Sequence, residues 1–174
     1  MKNSRFYFLR HAETDHNVQR IYDDEGLFPI NERGVEQALE VQKRLLHLPI
    51  RTVFTSPLHR VQQTKEFVLQ NRTFESHICD EFRECKGELW RLFLASEERE
   101  LTPSEWVMIH EFTSRVEIGL STLLSYEGPT LLIAHGGTYW ALAHILQLPG
   151  NRKIDNCNPV EIIHQNGKWQ AVFL

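Results

Sequence analysis

Apolar positions along the chain fall into short β-rich runs separated by longer stretches of helical period. Residues 5–9 (RFYFL) form an aromatic, apolar run that gives way to Arg10-His11-Ala12-Glu13-Thr14, which reads as a buried strand entering a loop. Asn31 is placed to cap a helix in which Val35, Ala38, Leu39, Leu45 and Leu46 share one face, and Pro49 stops it. Residues 51–55 (RTVFT), β-branched and aromatic, predict a second strand. Ser56-Pro57 then supplies an N-cap and a proline at the first helical position, opening a helix to about residue 70. Between 71 and 101 the pattern weakens, with a short strand near 77–79 and irregular or short helical structure beyond it. Thr102-Pro103-Ser104-Glu105 combines a capping box with proline at the first helical position. Trp106, Ile109, Val116, Leu120, Leu123 and Leu124 line the helix that follows, and Gly128-Pro129 ends it. Residues 130–134 (TLLIA) predict a third buried strand, followed by His135-Gly136-Gly137 and a helix to Leu148 that Pro149-Gly150 stops. The closing runs VEIIH and KWQAVF flank Asn166-Gly167, a hairpin turn signal.

Alternating strands and helices imply an α/β architecture with a mainly parallel sheet covered on both faces, closed by an antiparallel hairpin. No repeat or linker interrupts the pattern, and 174 residues fit one domain, 1–174, large enough to bury its own core. A net charge of −4 argues against a nucleic-acid partner, which usually meets a strongly basic face. It leaves room for an anionic ligand, because a site is set by local charge. Cys79, Cys85 and Cys157 are odd in number and lack CxxC spacing, so free thiols in a reducing compartment are expected. The apolar run Phe6–Leu9 is too short for a signal segment or a membrane span, and a cytoplasmic location is the expectation.

The reactive side chains gather where strands stop. Arg10 and His11 follow the first strand, Ser56 and Arg60 the second, and His135 the third. Ligands of open parallel α/β sheets bind outside the carboxyl ends of the strands, so two histidines and two arginines meet at one rim. Arginine forks hold phosphate bidentately and stay charged at any working pH. A neutral imidazole between them can attack phosphorus, and the arginines stabilise the charge of the transferring group. Backbone N–H groups at a helix start, with Gly136-Gly137 allowing close approach, add to this, and a carboxylate can protonate the leaving oxygen. Two histidines and a carboxylate are also a metal-site donor set, but the guanidinium of Arg10 beside His11 would repel a divalent cation. His47, His59, His77 and His110 lack such placement and read as ordinary histidines.

Five segments in order resemble the histidine phosphatase superfamily, the branch with cofactor-dependent phosphoglycerate mutases and small phosphatases. Leu9-Arg10-His11-Ala12-Glu13-Thr14 with Asn17 is similar to the opening RHGxT…N motif, and Asn31-Glu32-Arg33-Gly34 with Gln37-Ala38 to TERGxxQA. Thr55-Ser56-Pro57-Leu58-His59-Arg60 with Gln63-Thr64 is similar to SSPLxRxxQT. Phe82-Arg83-Glu84 through Gly87 resembles the acidic LRE…G element, and Ala134-His135-Gly136-Gly137 the late HGG motif. The resemblance implies a three-layer, phosphoglycerate-mutase-like α/β/α sandwich with His11 as nucleophile. It also implies that Arg10, Arg60, His135, Asn17 and the Gly136 backbone hold phosphate, with Glu84 as proton donor and no metal or organic cofactor. Three departures stand out. Ala12 replaces a glycine, the Glu84–Gly87 interval is one residue short with Arg91 after Trp90, and residues 85–112, where relatives build a substrate lid, match no specificity pattern. Glu81 and Glu88 are therefore alternative acids.

The function expected is hydrolysis of a small phosphate monoester through a phosphohistidine. The alternatives are a mutase, whose relatives carry a longer insertion after the acidic element, and a non-catalytic phosphate-binding module, which the presence of His11 disfavours. His16, Arg91 and Tyr139 are expected to line the pocket without identifying the substrate, and the sequence leaves the oligomeric state open.

Overall fold

Strands that are apolar on both sides need helices above and below them, and the computed structural model of the chain supplies both layers; it describes residues 4–21, 27–150 and 152–174. Six strands, β1 (Arg5–Arg10), β2 (Thr52–Thr55), β3 (Glu75–Ile78), β4 (Thr130–Ala134), β5 (Pro159–Gln165) and β6 (Lys168–Phe173), form one sheet in the order β3-β2-β4-β1-β5-β6. The first four of that order run parallel, β5 lies antiparallel to β1, and β6 returns antiparallel to β5. Asn166 and Gly167 both take positive φ (52° and 77°), as the tight hairpin turn requires.

Alternation along each central strand divides the core. Phe6 and Phe8 of β1, Phe54 of β2 and Leu132 and Ala134 of β4 pack with α4 (Gly87–Glu98), α5 (Pro103–Ser125) and α6 (Gly136–Ile145). Tyr7, Leu9, Val53, Leu131 and Ile133 point the other way, onto α2 (Glu32–Leu45) and α3 (His59–Val68). The result is the three-layer α/β/α sandwich with a mainly parallel sheet and a terminal antiparallel hairpin. Among the described residues no helix is long and apolar enough to cross a membrane.

Several local expectations need correction. The buried face of α2 is Gly34, Ala38, Val41 and Leu45, whereas Leu39 and Leu46 are exposed. Each lies about 100° round the helix from a buried neighbour, off the inward stripe. Trp106, expected inside α5, is 42% exposed, because the first turn of α5 overhangs the core that Ile109, Phe112 and Val116 enter. Helix α3 begins at His59 with Leu58 as its uncapped entry, so Ser56-Pro57 does not open it. The strand expected near 77–79 is β3, four residues at 75–78, and a 3₁₀ turn at Asp80–Phe82 follows it. The helix after His135 ends at Ile145, not Leu148. A short helix, α1 (Asp15–Gln19), follows the loop at 10–14, in a stretch to which the sequence pattern assigned no element.

Candidate active site

Strand register brings three chain segments level. Arg10 pairs with Ala134 and Thr55 with Ile133, so the next residues, His11, His135 and Ser56, emerge side by side at the carboxyl edge. Backbone bonds from His11 N to the Ala134 carbonyl (2.9 Å) and from Ser56 N to the Ile133 carbonyl (3.2 Å) extend the ladder into the site. The imidazoles of His11 and His135 then lie 5.3 Å apart, centroid to centroid.

His11 is buried and its protonation is fixed by its neighbours. Nδ1 lies 2.8 Å from the Ala12 carbonyl oxygen, which can only accept, so Nδ1 carries the proton. Nε2 receives a bond from Arg60 Nε at 3.3 Å and therefore offers a lone pair. Ala12, where a glycine was expected, is not among the residues of positive φ, and its N–H donates to Thr64 Oγ1 at 2.9 Å. That hydroxyl donates in turn to the Arg60 carbonyl at 2.7 Å, tying the His11 loop to α3.

Arg10 donates from Nη1 to the Ile154 carbonyl at 2.8 Å. His135 Nε2 meets Ser56 Oγ at 2.7 Å, and Ser56, two residues before the Leu58 entry to α3, does not stand at its cap. Asn17 Oδ1 accepts from Thr14 N and from Asn156 Nδ2, each at 3.1 Å, leaving its NH₂ group as the end that can donate to a ligand. Glu84 is half-buried, and its Oε1 accepts from Cys85 N (2.9 Å) and Gly137 N (3.1 Å), the latter at the start of α6. A Cβ on Gly137 would collide with Glu84 Oε1 and lie 2.7 Å from Cys85 Sγ, so the carboxyl sits where only glycine leaves room.

These surroundings set the charges. Burial, then the charges of Arg60 and Arg10, hold His11 well below the usual 6.5, and the Ala12 bond opposes this only in part. His135 is depressed in the same way by burial, Arg60 and His11. Burial raises Glu84 above its usual 4.5 against the Cys85 and Gly137 N–H groups and the two arginines. The site therefore combines two neutral imidazoles, two permanent cations and a carboxyl biased toward its protonated form.

One cavity of about 460 Å³ is lined by Arg10, His11, Asn17, Arg60 and Glu84. His135 and Gly136 are buried and do not reach its surface, standing behind His11 at the head of α6. Of the alternative carboxylates, Glu81 does not line it and Glu88 lines a separate hollow. His16 lies on its wall, stacked on Phe28 at 3.4 Å, but Arg91 and Tyr139 do not line it; Tyr139 packs on Phe8 in the core. Only the first part of 85–112 reaches the cavity, through Cys85, Trp90 and Leu94. Among the described residues no three His, Cys, Asp or Glu side chains are grouped to hold a metal ion.

Sequence reasoning missed the segment before β5. Asn156 donates to the His11 carbonyl (2.8 Å) and to Asn17, while Ile154 holds Arg10 and Cys157 N bonds the Arg10 carbonyl (3.1 Å). This stretch has no period and no motif, so nothing in it announced that it braces the β1 loop.

The family model for the histidine phosphatase superfamily (branch 1) matches residues 6–174. The chain is 29% identical over 163 residues to the adenosylcobalamin/alpha-ribazole phosphatase of Salmonella typhimurium, covering 83% of this chain and 81% of that one. It is 26% identical over 187 residues to the Salmonella arizonae protein named "Probable phosphoglycerate mutase GpmB", covering 95% and 87%. Its fold is similar to the alpha-ribazole phosphatase of Shigella flexneri (TM-score 0.74, 23% identity, 98% and 95% covered). It is also similar to Bacillus stearothermophilus YhfR (TM-score 0.77, 19% identity, 98% and 96% covered).

Proposed function

The chain belongs to the histidine phosphatase superfamily, branch 1, and from that premise we propose that it hydrolyses a small phosphate monoester through a phosphohistidine on His11. The observation that carries this reading is the fixed tautomer of His11: Nδ1–H bound to the Ala12 carbonyl and an Nε2 lone pair facing Arg60. A phosphoryl oxygen takes over the guanidinium bond as phosphorus takes the lone pair. Arg10, Arg60 and the Asn17 NH₂ group, which line the cavity, hold the equatorial oxygens, where the transition-state charge lies; His135 and the Gly136 backbone, buried beside His11, join them only if the site shifts to bring them to the phosphoryl group.

In the first step the Nε2–P bond forms, the P–O bond to the leaving group breaks, and protonated Glu84 delivers its proton to the departing oxygen. In the second step the Glu84 carboxylate takes a proton from water, whose oxygen attacks phosphorus, and the Nε2–P bond breaks. Inorganic phosphate leaves, and neutral His11 and protonated Glu84 are restored. Arginine charge does the work that a Lewis acid would otherwise do, so the reaction is metal-independent and persists in chelator. A small phosphorylated molecule is the partner; nucleic acid is not. Three free cysteines among the described residues fit a cytoplasmic setting.

The test is intact-protein mass after a rapid, acid-free quench with an aryl phosphate, alongside phosphate release. Wild type should gain one acid-labile phosphoryl group transiently, and His11→Ala should gain none while losing at least about 10³-fold in turnover. Substantial phosphate release by pure His11→Ala would sink the covalent mechanism. The relatives named as phosphoglycerate mutases give the same intermediate a second use. Transfer from phosphohistidine to phosphoglycerate, faster than to water, would reassign the chain to that class.

A further inference from the structure

Glu84 sits on a stretch of backbone that no regular element supports. Residues 83–86 join the 3₁₀ turn to α4, so neither a helix nor a sheet ladder sets where the carboxyl lies. Carbonyl groups in such a stretch need partners. Here one side chain of a different element binds four carbonyls, two in the 3₁₀ turn and two in this stretch. Arg115, midway along α5, donates from Nη1 to the carbonyls of Asp80 (2.9 Å) and Glu81 (3.4 Å). From Nη2 it donates to those of Arg83 (3.1 Å) and Glu84 (3.5 Å).

The guanidinium is itself held. Its carbon lies 4.9 Å from the centroid of the Phe112 ring, one turn earlier on the helix. One turn later, Gly119 brings α5 down onto the same segment: a Cβ there would lie 2.8 Å from the Phe82 ring and 2.9 Å from Glu81 Cβ. From the other side the Gly137 N–H of α6 binds the carboxyl directly. The backbone of the acid is thus gripped by α5 and its side chain by α6.

We propose that Arg115 is a positioning residue for proton transfer: its clamp on the carbonyls of Asp80, Glu81, Arg83 and Glu84 sets where the Glu84 carboxyl meets the leaving-group oxygen. The inference rests on the role given to Glu84 above. Arg115 does not line the reaction cavity but a second hollow of about 610 Å³, with Glu84 and Cys85 forming the wall between the two. It acts through the backbone and touches no substrate. Positive charge alone does not replace it, because a planar fork serves two pairs of carbonyls that a lysine ammonium, a point charge, does not span.

The test compares wild type, Arg115→Ala, Arg115→Lys and Glu84→Gln on p-nitrophenyl phosphate, whose leaving group needs little protonation, and on glycerol phosphate, whose leaving group needs it fully. Circular dichroism checks that each variant is folded, and Arg115→Lys carries the test if the alanine variant is not. Displacing the acid by about an ångström should cost about 10–100-fold more on the alkyl than on the aryl substrate. In the Glu84→Gln background the same Arg115 change should cause no further selective loss. Equal losses on both substrates in a folded Arg115 variant, with Glu84→Gln still selective, would overturn the clamp and leave the phosphatase reading intact. An unselective Glu84→Gln would instead remove the acid role of Glu84, and the clamp proposal with it.

Discussion

Which nitrogen of His11 is bare, and at what pH, follows from its surroundings: the Ala12 carbonyl fixes the proton on Nδ1, and burial, then Arg60 and Arg10, keeps a second proton away. Protonation of His11 thus occurs only as pH falls through a folded value well under 6.5. Glu84 works in the opposite sense. The proposed first step needs it protonated, and burial raises it above 4.5, so that form is lost as pH rises through the raised value. The kcat/KM for an alkyl phosphate should therefore fall on the alkaline side as Glu84 loses its proton, and Glu84→Gln should flatten that limb. A rate that climbs steadily through pH 8 would contradict this assignment of the two groups. The sequence revealed these residues because each lies directly after a strand or in a motif. It did not reveal Ser56 as the partner of His135, since Ser-Pro is also a helix-start signal and only the fold shows that the imidazole claims the hydroxyl.

Elements were legible where their signals are local. The start of α5 is an example: Thr102 Oγ1 accepts from Glu105 N, and the Glu105 carboxylate returns a bond to Thr102 N at 2.8 Å. Arg99 binds the same carboxylate with both terminal nitrogens (3.0 and 2.6 Å), and this, with the backbone bond, pushes Glu105 down to about 2. Thr102→Ala should lower unfolding free energy by about 1 kcal/mol, read as a shift of the urea midpoint, with kcat and KM unchanged. A change in kcat would mean that the cap influences Arg115 at the middle of the helix. Illegible elements were those that the rest of the molecule organises. Helix α1 is five residues long, too short to show a period, and α4 follows an irregular stretch with no capping side chain. The segment before β5 is defined by tertiary partners, through its bonds to Arg10, His11 and Asn17 and the burial of Ile154 and Cys157 in the core, which no local pattern announces.

At the scale of the whole molecule, burying this site opposes folding in acid. His11 and His135 have folded values well below 6.5, and His144 is lowered too, by burial and then Arg152. Below 6.5 the unfolded chain therefore binds more protons than the folded one, and stability is lost as pH falls. Above 6.5 both states are neutral at these positions and the effect vanishes. Glu84 contributes with the reverse sign: its stabilisation is complete below 4.5 and lost as pH rises through the raised value, so it partly offsets the histidines on acidification. Glu105, depressed to about 2, stays ionised in both states until pH approaches 4.5, so it does not blur the window between 6.5 and 5. Urea denaturation across that window should show a loss of up to about 1.4 kcal/mol per pH unit for each buried histidine. His11→Ala should reduce the slope by up to one proton's worth even though it opens a cavity that lowers stability overall. An unchanged slope in that variant would mean that His11 is protonated in the folded protein near its usual value, and the neutral nucleophile on which the hydrolytic mechanism depends would be lost with it.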